Sequence, residues 1–273
     1  MKTARETAGK VGLPLMVHIG DPHRQVPPSL TGEMLPLLRQ GDILSHIYTG
    51  QSGALLGEDG RIHPELAAAR DRGVVLDVSP GIKNFTFSTA RKMMDQGIFP
   101  TTVSTDISRP SVTAYAFGLT VAMSKFLEMR LPLEDIIAMT TIHPARAAGI
   151  SDRKGSLKPT MDADISILEI RPGRWRFQDV SSGTLSALAD ERGHSRSAAW
   201  HRLDQSIGWD ARNAHQKGYP KTRLHYDPDA PNQGFERDLK TVDKLEKAPL
   251  REPLILVPLA RVERAAHGLG IRC

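Results

Sequence analysis

Short apolar runs recur through the first half of this chain, each followed by a stretch long enough for a helix. The runs are Leu13-Pro-Leu-Met-Val-His18, Asp42-Ile-Leu-Ser-His46, Val74-Val-Leu-Asp-Val-Ser79 and Thr102-Val-Ser-Thr-Asp106. Short runs of this kind, bounded by turn residues, read as buried strands. Their ends fall about 28 to 32 residues apart, the length of one strand, one helix and two loops. Between them the pattern predicts the end of a helix over 3–11 and a short helix over 32–39 that stops at Gly41. It also predicts a helix over 64–72 with Pro64 in its first turn and Gly73 after its end, and one over 88–96 closed by Gly97. Further helices are expected over 112–129, 133–141 and 144–148. Buried strands alternating with helices predict an α/β protein built on a parallel sheet or barrel.

After Gly149 the texture changes. Residues 155–168 read as a turn followed by a strand. Beyond about residue 177 the periodicity fades, and the polar stretch 183–248 predicts loop or disorder. Leu254-Ile-Leu-Val-Pro-Leu-Ala260 is a brief apolar island. The expected organisation is an α/β unit over 1–150, a small β unit over 151–180, and an irregular tail over 181–273.

Composition changes this picture in two places. The chain of 273 residues carries a net charge of +5, which raises nucleic-acid binding as a question. Residues 1–170 hold 18 Lys and Arg against 18 Asp and Glu, so the excess lies wholly in the last hundred residues. All three tryptophans and the single cysteine, Cys273, lie there too. One cysteine excludes an internal disulfide and a cysteine-based zinc site. No apolar run approaches the ~18 residues of a membrane span, and the first ten residues lack a signal-peptide core. The expectation is a cytoplasmic protein.

The candidate chemistry sits at the strand ends, where α/β proteins gather side chains over a cleft. His18, His46 and Asp106 each close a strand. Imidazole suits Zn, Mn or Fe, a carboxylate adds charge, and a divalent metal makes water acidic enough to attack an amide near neutral pH. A neighbouring carboxylate can then carry a proton to the leaving amine. Asp77 also lies on a strand, with neighbours that aim it away from the mouth. His23 and Arg24 read as solvated loop residues, His63 as a helix N-terminal residue, and His143 as shaping the start of a helix.

Gly12–Gly20, Gly41–Gly50, Ala69–Val78 and Val103–Ile107 together resemble the amidohydrolase superfamily. Its amidohydrolase/deacetylase metallohydrolases, relatives of dihydroorotase, are the most similar group. Ala122-Met-Ser-Lys-Phe-Leu127, Thr141–Ile150 and Gly155–Ile165 resemble the same group, so the likeness covers roughly residues 1–178. It implies the second half of a (β/α)8 barrel, strands five to eight, with a remnant of the flanking β domain. It implies His18 and His46 as metal ligands ending strands five and six. Asp106 would be the strand-eight aspartate, both ligand and general base. Gly50, Ser79 and Gly81 would border a small amide substrate, hydrolysed by metal-activated water. The cofactor implied is a divalent metal, most simply zinc, one or two ions in the intact family and at most one here.

The departures are specific. The family pattern includes a His-x-His pair on strand one and a bridging lysine on strand four, and this chain contains no His-x-His. Ser79-Pro-Gly-Ile-Lys83 stands where the family usually has Gly-His-Gly. The last ninety residues match nothing in the family pattern. The expectation is an incomplete or frame-disrupted product, weakly active or inactive alone, whose exposed half-barrel edges favour self-association. The alternative is a non-enzymatic module whose basic tail, with Trp200, Trp209, Tyr219 and Tyr226, stacks on nucleic acid or holds an acidic partner. No recognisable nucleic-acid motif supports that alternative.

Overall fold

The structure is a computed structural model, and it describes residues 1–25, 27, 29–108, 118–172, 176–181, 184–186, 198–202, 207–208 and 255–258. Helix α1, Lys2–Val11, ends at Gly12, whose φ of 66° lets its N–H turn back onto the Ala8 and Gly9 carbonyls. Strand β1, Met16–His18, follows, then α2, Ser29–Met34, which tightens into a 3-10 turn over Leu35–Leu37. Strand β2, Ile43–Ser45, leads to α3, Pro64–Asp71, and β3, Val75–Asp77, leads to α4, Phe87–Met94. Both of these helices start where a side chain takes up a free N–H: His63 Nδ1 accepts from Glu65 and Thr86 from Thr89.

β1, β2 and β3 form one parallel sheet in chain order, with His18 level with Ser45 and Ser45 level with Asp77. The alternation of strand and helix therefore gives the α/β architecture expected. The run 102–105 does not form a full fourth strand. It joins the sheet by one parallel bridge, Asp77 to Thr102, in which the Thr102 N–H donates to the Leu76 carbonyl and the Val78 N–H to the Thr102 carbonyl. The Val103 N–H, on the other edge, is taken by the Met139 carbonyl at the end of a helix.

The core lies between this sheet and its helices. Leu44, Leu76, Val74 and Val78 meet Leu35, Leu38, Leu66 and Met93, all buried. An aromatic cluster closes the core near the strand ends. Phe85 packs edge-on against Tyr48, Phe87 and Phe126 with ring centres 5.2–6.3 Å away, and the Tyr48 hydroxyl donates to the Ile98 carbonyl.

Helices α5 (Leu119–Glu128), α6 (Leu133–Thr140) and α7 (Ile142–Ala147) follow. The first half of the helix expected over 112–129 lies outside the described residues. Gly155 abuts α7 so closely that a methyl group there would meet the Ala145 Cβ at 2.8 Å and the Ile142 Cα at 2.9 Å. Strand β4, Asp164–Pro172, then pairs antiparallel with β7 (Ala198–Arg202), β8 (Ile207–Gly208) and β9 (Ile255–Pro258). β5 (Arg176–Gln178) pairs with β6 (Thr184–Ser186). Strands β6 to β9 thus fall in the stretch expected to be irregular. They are two to five residues long, too short to leave a periodic trace, and the apolar island at 254–260 supplies β9. Trp209, Tyr219 and Tyr226, on which the nucleic-acid alternative leaned, lie outside the described residues. Among the described residues no helix is long and apolar enough to cross a membrane.

Candidate active site

The register of the parallel sheet assembles the site. In-register residues of adjacent parallel strands point to one face, so His18, Ser45 and Asp77 form a row. Simple alternation would send His46 to the opposite face, since it follows Ser45. It does not go there. The backbone at His46 has φ 71°, a conformation uncommon for any residue but glycine, and the chain turns the imidazole back beside His18. The two rings lie 5.0 Å apart, with His18 Nδ1 3.0 Å from His46 Nε2. Ser79 and Asp106, at the ends of the next two segments, also have positive φ, 41° and 49°. Strained backbone of this kind persists where the surroundings hold it, and it gathers at functional sites.

The hydrogen bonds fix the state of His46. Its Nδ1 lies 2.7 Å from the Ser79 carbonyl oxygen, which can only accept, so Nδ1 carries the proton. Nε2 then presents a lone pair toward His18. Burial pushes the His46 imidazole below the usual histidine range. The Ser79 carbonyl and the carboxylates of Asp106 and Asp77 pull the other way, more weakly. His46 is buried, whereas His18 is exposed.

The donor set can be tested for a metal. Tetrahedral zinc with bonds of about 2.0–2.1 Å separates two ligand atoms by roughly 3.3 Å. The observed 3.0 Å between the two ring nitrogens suits two adjacent coordination positions. A carbonyl behind the second ring nitrogen is the usual partner of a metal-binding histidine. Among the described residues no set of three His, Cys, Asp or Glu groups is already gathered around one point. Asp106 is exposed, and its carboxylate lies against Gly81, whose N–H donates to the Thr105 carbonyl at 3.1 Å.

The other residues singled out in the sequence separate clearly. Gly50 is exposed, with its Cα beside Thr86. Ser79 is buried, and its hydroxyl faces inward to Asp77 and Ser104, so the side chain does not reach the mouth. His23 and Arg24 are exposed. His63 caps α3, and His143 Nδ1 donates to the Thr101 carbonyl at 2.9 Å.

Asp77 is the residue that sequence reasoning undervalued. It is buried at 3% exposure, and three serine hydroxyls, from Ser45, Ser79 and Ser104, converge on its Oδ2. Thr102 donates to Oδ1 at 2.7 Å. A signal was present: Ser45-His46, Asp77-Val-Ser79 and Ser104-Thr-Asp106 each place a hydroxyl beside a strand-end residue.

Residues 68–192 match the model of the amidohydrolase family. A deacetylase of Brucella anthropi is 29% identical over 188 residues, which is 69% of this chain and 45% of that protein. The chain resembles the amidohydrolase superfamily over part of its length. Two solved amidohydrolase-type structures share its fold. An adenine deaminase superposes with a TM-score of 0.65 at 26% identity, over 74% of this chain and 52% of the other. A dihydroorotase gives 0.61 at 25% identity, over 74% and 48%. The amidohydrolase likeness is thus partial: the chain spans under half the length of the curated deacetylases it matches.

Proposed function

We propose that this chain is a metal-dependent hydrolase of a carbon–nitrogen amide bond, of the deacetylase and dihydroorotase kind. In this reading β1, β2, β3 and the segment 102–106 correspond to strands five to eight of a (β/α)8 barrel. The strands from β4 onward belong to the flanking β domain. The observation that carries the proposal is the pair of imidazole nitrogens, 3.0 Å apart at the ends of neighbouring parallel strands. Relatives named as deacetylases support the reaction class.

His18 and His46 would hold one divalent metal, with Asp106 as the carboxylate of the set. The metal supplies Lewis acidity that brings a water's pKa toward neutrality. Asp106, exposed at the mouth, takes the water's proton and delivers it to the leaving amine. The buried Ser79 carbonyl keeps the His46 Nδ1 proton away from the metal side. Gly50 and Gly81 border a small amide, with no side chain to obstruct it. Without a His-x-His pair the chain supplies ligands for one metal, and the turnover expected of it alone is weak.

The outer edge of β1 supports self-association. Among the described residues β1 pairs only with β2, and Val11, Leu13 and Met16 beside it are exposed at 61, 45 and 38%.

Bound metal measured by elemental analysis tests the proposal. About one zinc per chain is expected, absent from His18→Ala and His46→Ala. Asp106→Asn should lower hydrolysis of simple N-acyl amino acids by a factor on the order of 10² to 10⁴. Metal at background level in the unaltered chain would defeat the proposal.

A further inference from the structure

The buried carboxylate of Asp77 stands outside the ligand set proposed above. Among the described residues its side-chain hydrogen-bond partners are hydroxyls, and they come from three successive segments of the sheet: Ser45 of β2, Ser79 after β3, and Thr102 and Ser104 of the bridge segment. Each segment carries a residue of the site at its end. Ser45 immediately precedes His46, Ser104 stands two residues before Asp106, and Ser79 offers the carbonyl that receives the His46 Nδ1 proton at 2.7 Å.

The chemistry of the acceptor matters. A carboxylate has about four lone-pair positions and no proton, so it can receive several hydroxyl protons at once. No ion pair with Lys or Arg is recorded for it among the described residues. A buried charge with only hydroxyl partners is held at a substantial desolvation cost. Ser79 also keeps a left-handed backbone, φ 41°, that needs support, and its hydroxyl bonded to Asp77 provides it.

We propose that Asp77 is a positioning residue: by gathering the hydroxyls of Ser45, Ser79, Thr102 and Ser104 it holds the Ser79 carbonyl on His46, and so keeps His46 protonated at Nδ1 with Nε2 facing His18. The link runs from Asp77 through the Ser79 side chain and backbone to the imidazole. Its importance for function rests on the reading of His46 as a metal ligand, but the tautomer itself does not require metal.

The test is nitrogen-15 NMR of the histidine rings in the metal-free full chain, with the His46 signals assigned by comparison with His46→Ala. The unaltered chain should show a protonated Nδ1 and an unprotonated Nε2 at His46. Asp77→Asn and Ser79→Ala should each convert a measurable fraction to the Nε2-protonated tautomer. Zn2+ affinity should fall by about 10- to 100-fold, the usual effect of losing a group that orients a ligand. Ser79→Ala leaves the buried carboxylate in place, so it serves if the Asp77 variant fails to fold. Retention of the Nδ1 tautomer in a folded variant of either kind, whatever its loss of thermal stability, would overturn the inference. A chain that binds no Zn2+ overturns the metal reading alone, and the tautomer measurement still decides the role of Asp77.

Discussion

Gly81 shows how closely single residues constrain the site. Its φ is 50°, and a methyl group at that Cα would overlap the Asp106 carboxylate. Gly81→Ala should therefore displace Asp106 and cost about 1 kcal/mol or more in backbone strain. The expected result is a lower thermal midpoint together with weakened Zn2+ binding, read by calorimetry. Lys125 offers a second residue-level prediction. Its side chain is buried with the ammonium 5.2 Å from the Phe85 ring centre, and burial pulls its pKa down to about 8, against the opposing pull of Asp179. The unfolded chain keeps that proton to about 10.4, so between roughly pH 8 and 10 the unfolded state binds more protons and stability rises with pH. The rise is at most about 1.4 kcal/mol per pH unit. Chemical denaturation of the unaltered chain and of Lys125→Met across this range should show their stability difference shifting in favour of the former. A constant difference would mean Lys125 holds its proton as it does in water. At this scale the sequence marked His18, His46 and Asp106 by their place at strand ends, and the structure brings the two histidines together. It concealed the burial of Lys125 and Asp77, since charged residues inside a helix or a strand look locally like solvated ones.

Among the elements, α1 has the least visible anchorage. None of its residues is buried. Arg5, on this helix, forms an ion pair with Asp42, a carboxylate only 2% exposed that also accepts from the Leu15 and Arg39 N–H groups at 2.8 and 2.7 Å. Arg5→Ala should release α1 and speed amide hydrogen exchange along Lys2–Val11, while the sheet keeps its protection. Asp42→Ala should cost more, on the order of 3 kcal/mol, because two backbone N–H groups and a guanidinium lose their acceptor together. Equal losses in the two variants would mean the backbone contacts contribute nothing. The elements themselves were legible where periodicity, proline and glycine agreed. α3 runs from Pro64 to Asp71 and ends before Gly73, close to the span expected. Agreement failed at 102–105, where the alternation of a strand is present but the pairing with β3 is limited to the single Asp77–Thr102 bridge. It failed again at His46, whose left-handed backbone undoes the alternation that would have placed it away from His18.

At the scale of the molecule, Asp179 joins the segment that follows β5 to the helix that follows β3. Its Oδ2 accepts from the Phe87 N–H at 2.8 Å, at the first turn of α4, and its Oδ1 accepts from the Ser181 N–H and hydroxyl. It is 1% exposed, and its charge is felt by Lys125 on α5. One carboxylate thus satisfies an unpaired helix N–H, opposes the positive end of the α4 dipole, and faces a buried cation. Nothing in the local sequence pointed to this, because the partners are 92 and 54 residues away and no spacing rule links them. The consequence is a coupling between the β-rich region and the sheet that bears the site. Asp179→Ala leaves the Phe87 N–H without its acceptor and the Lys125 ammonium without that nearby opposite charge in a dry environment, an effect on the order of 3 kcal/mol. Two consequences are expected beyond lower stability. Hydrogen exchange should quicken at the start of α4 and through β5 together, and the pH at which Lys125 loses its proton should fall further, since the pull that raised it is gone. Quickening confined to β5 would mean that Asp179 orders only its own turn, and that the strand ends bearing His46 and Asp106 are held by the sheet and its serine network alone.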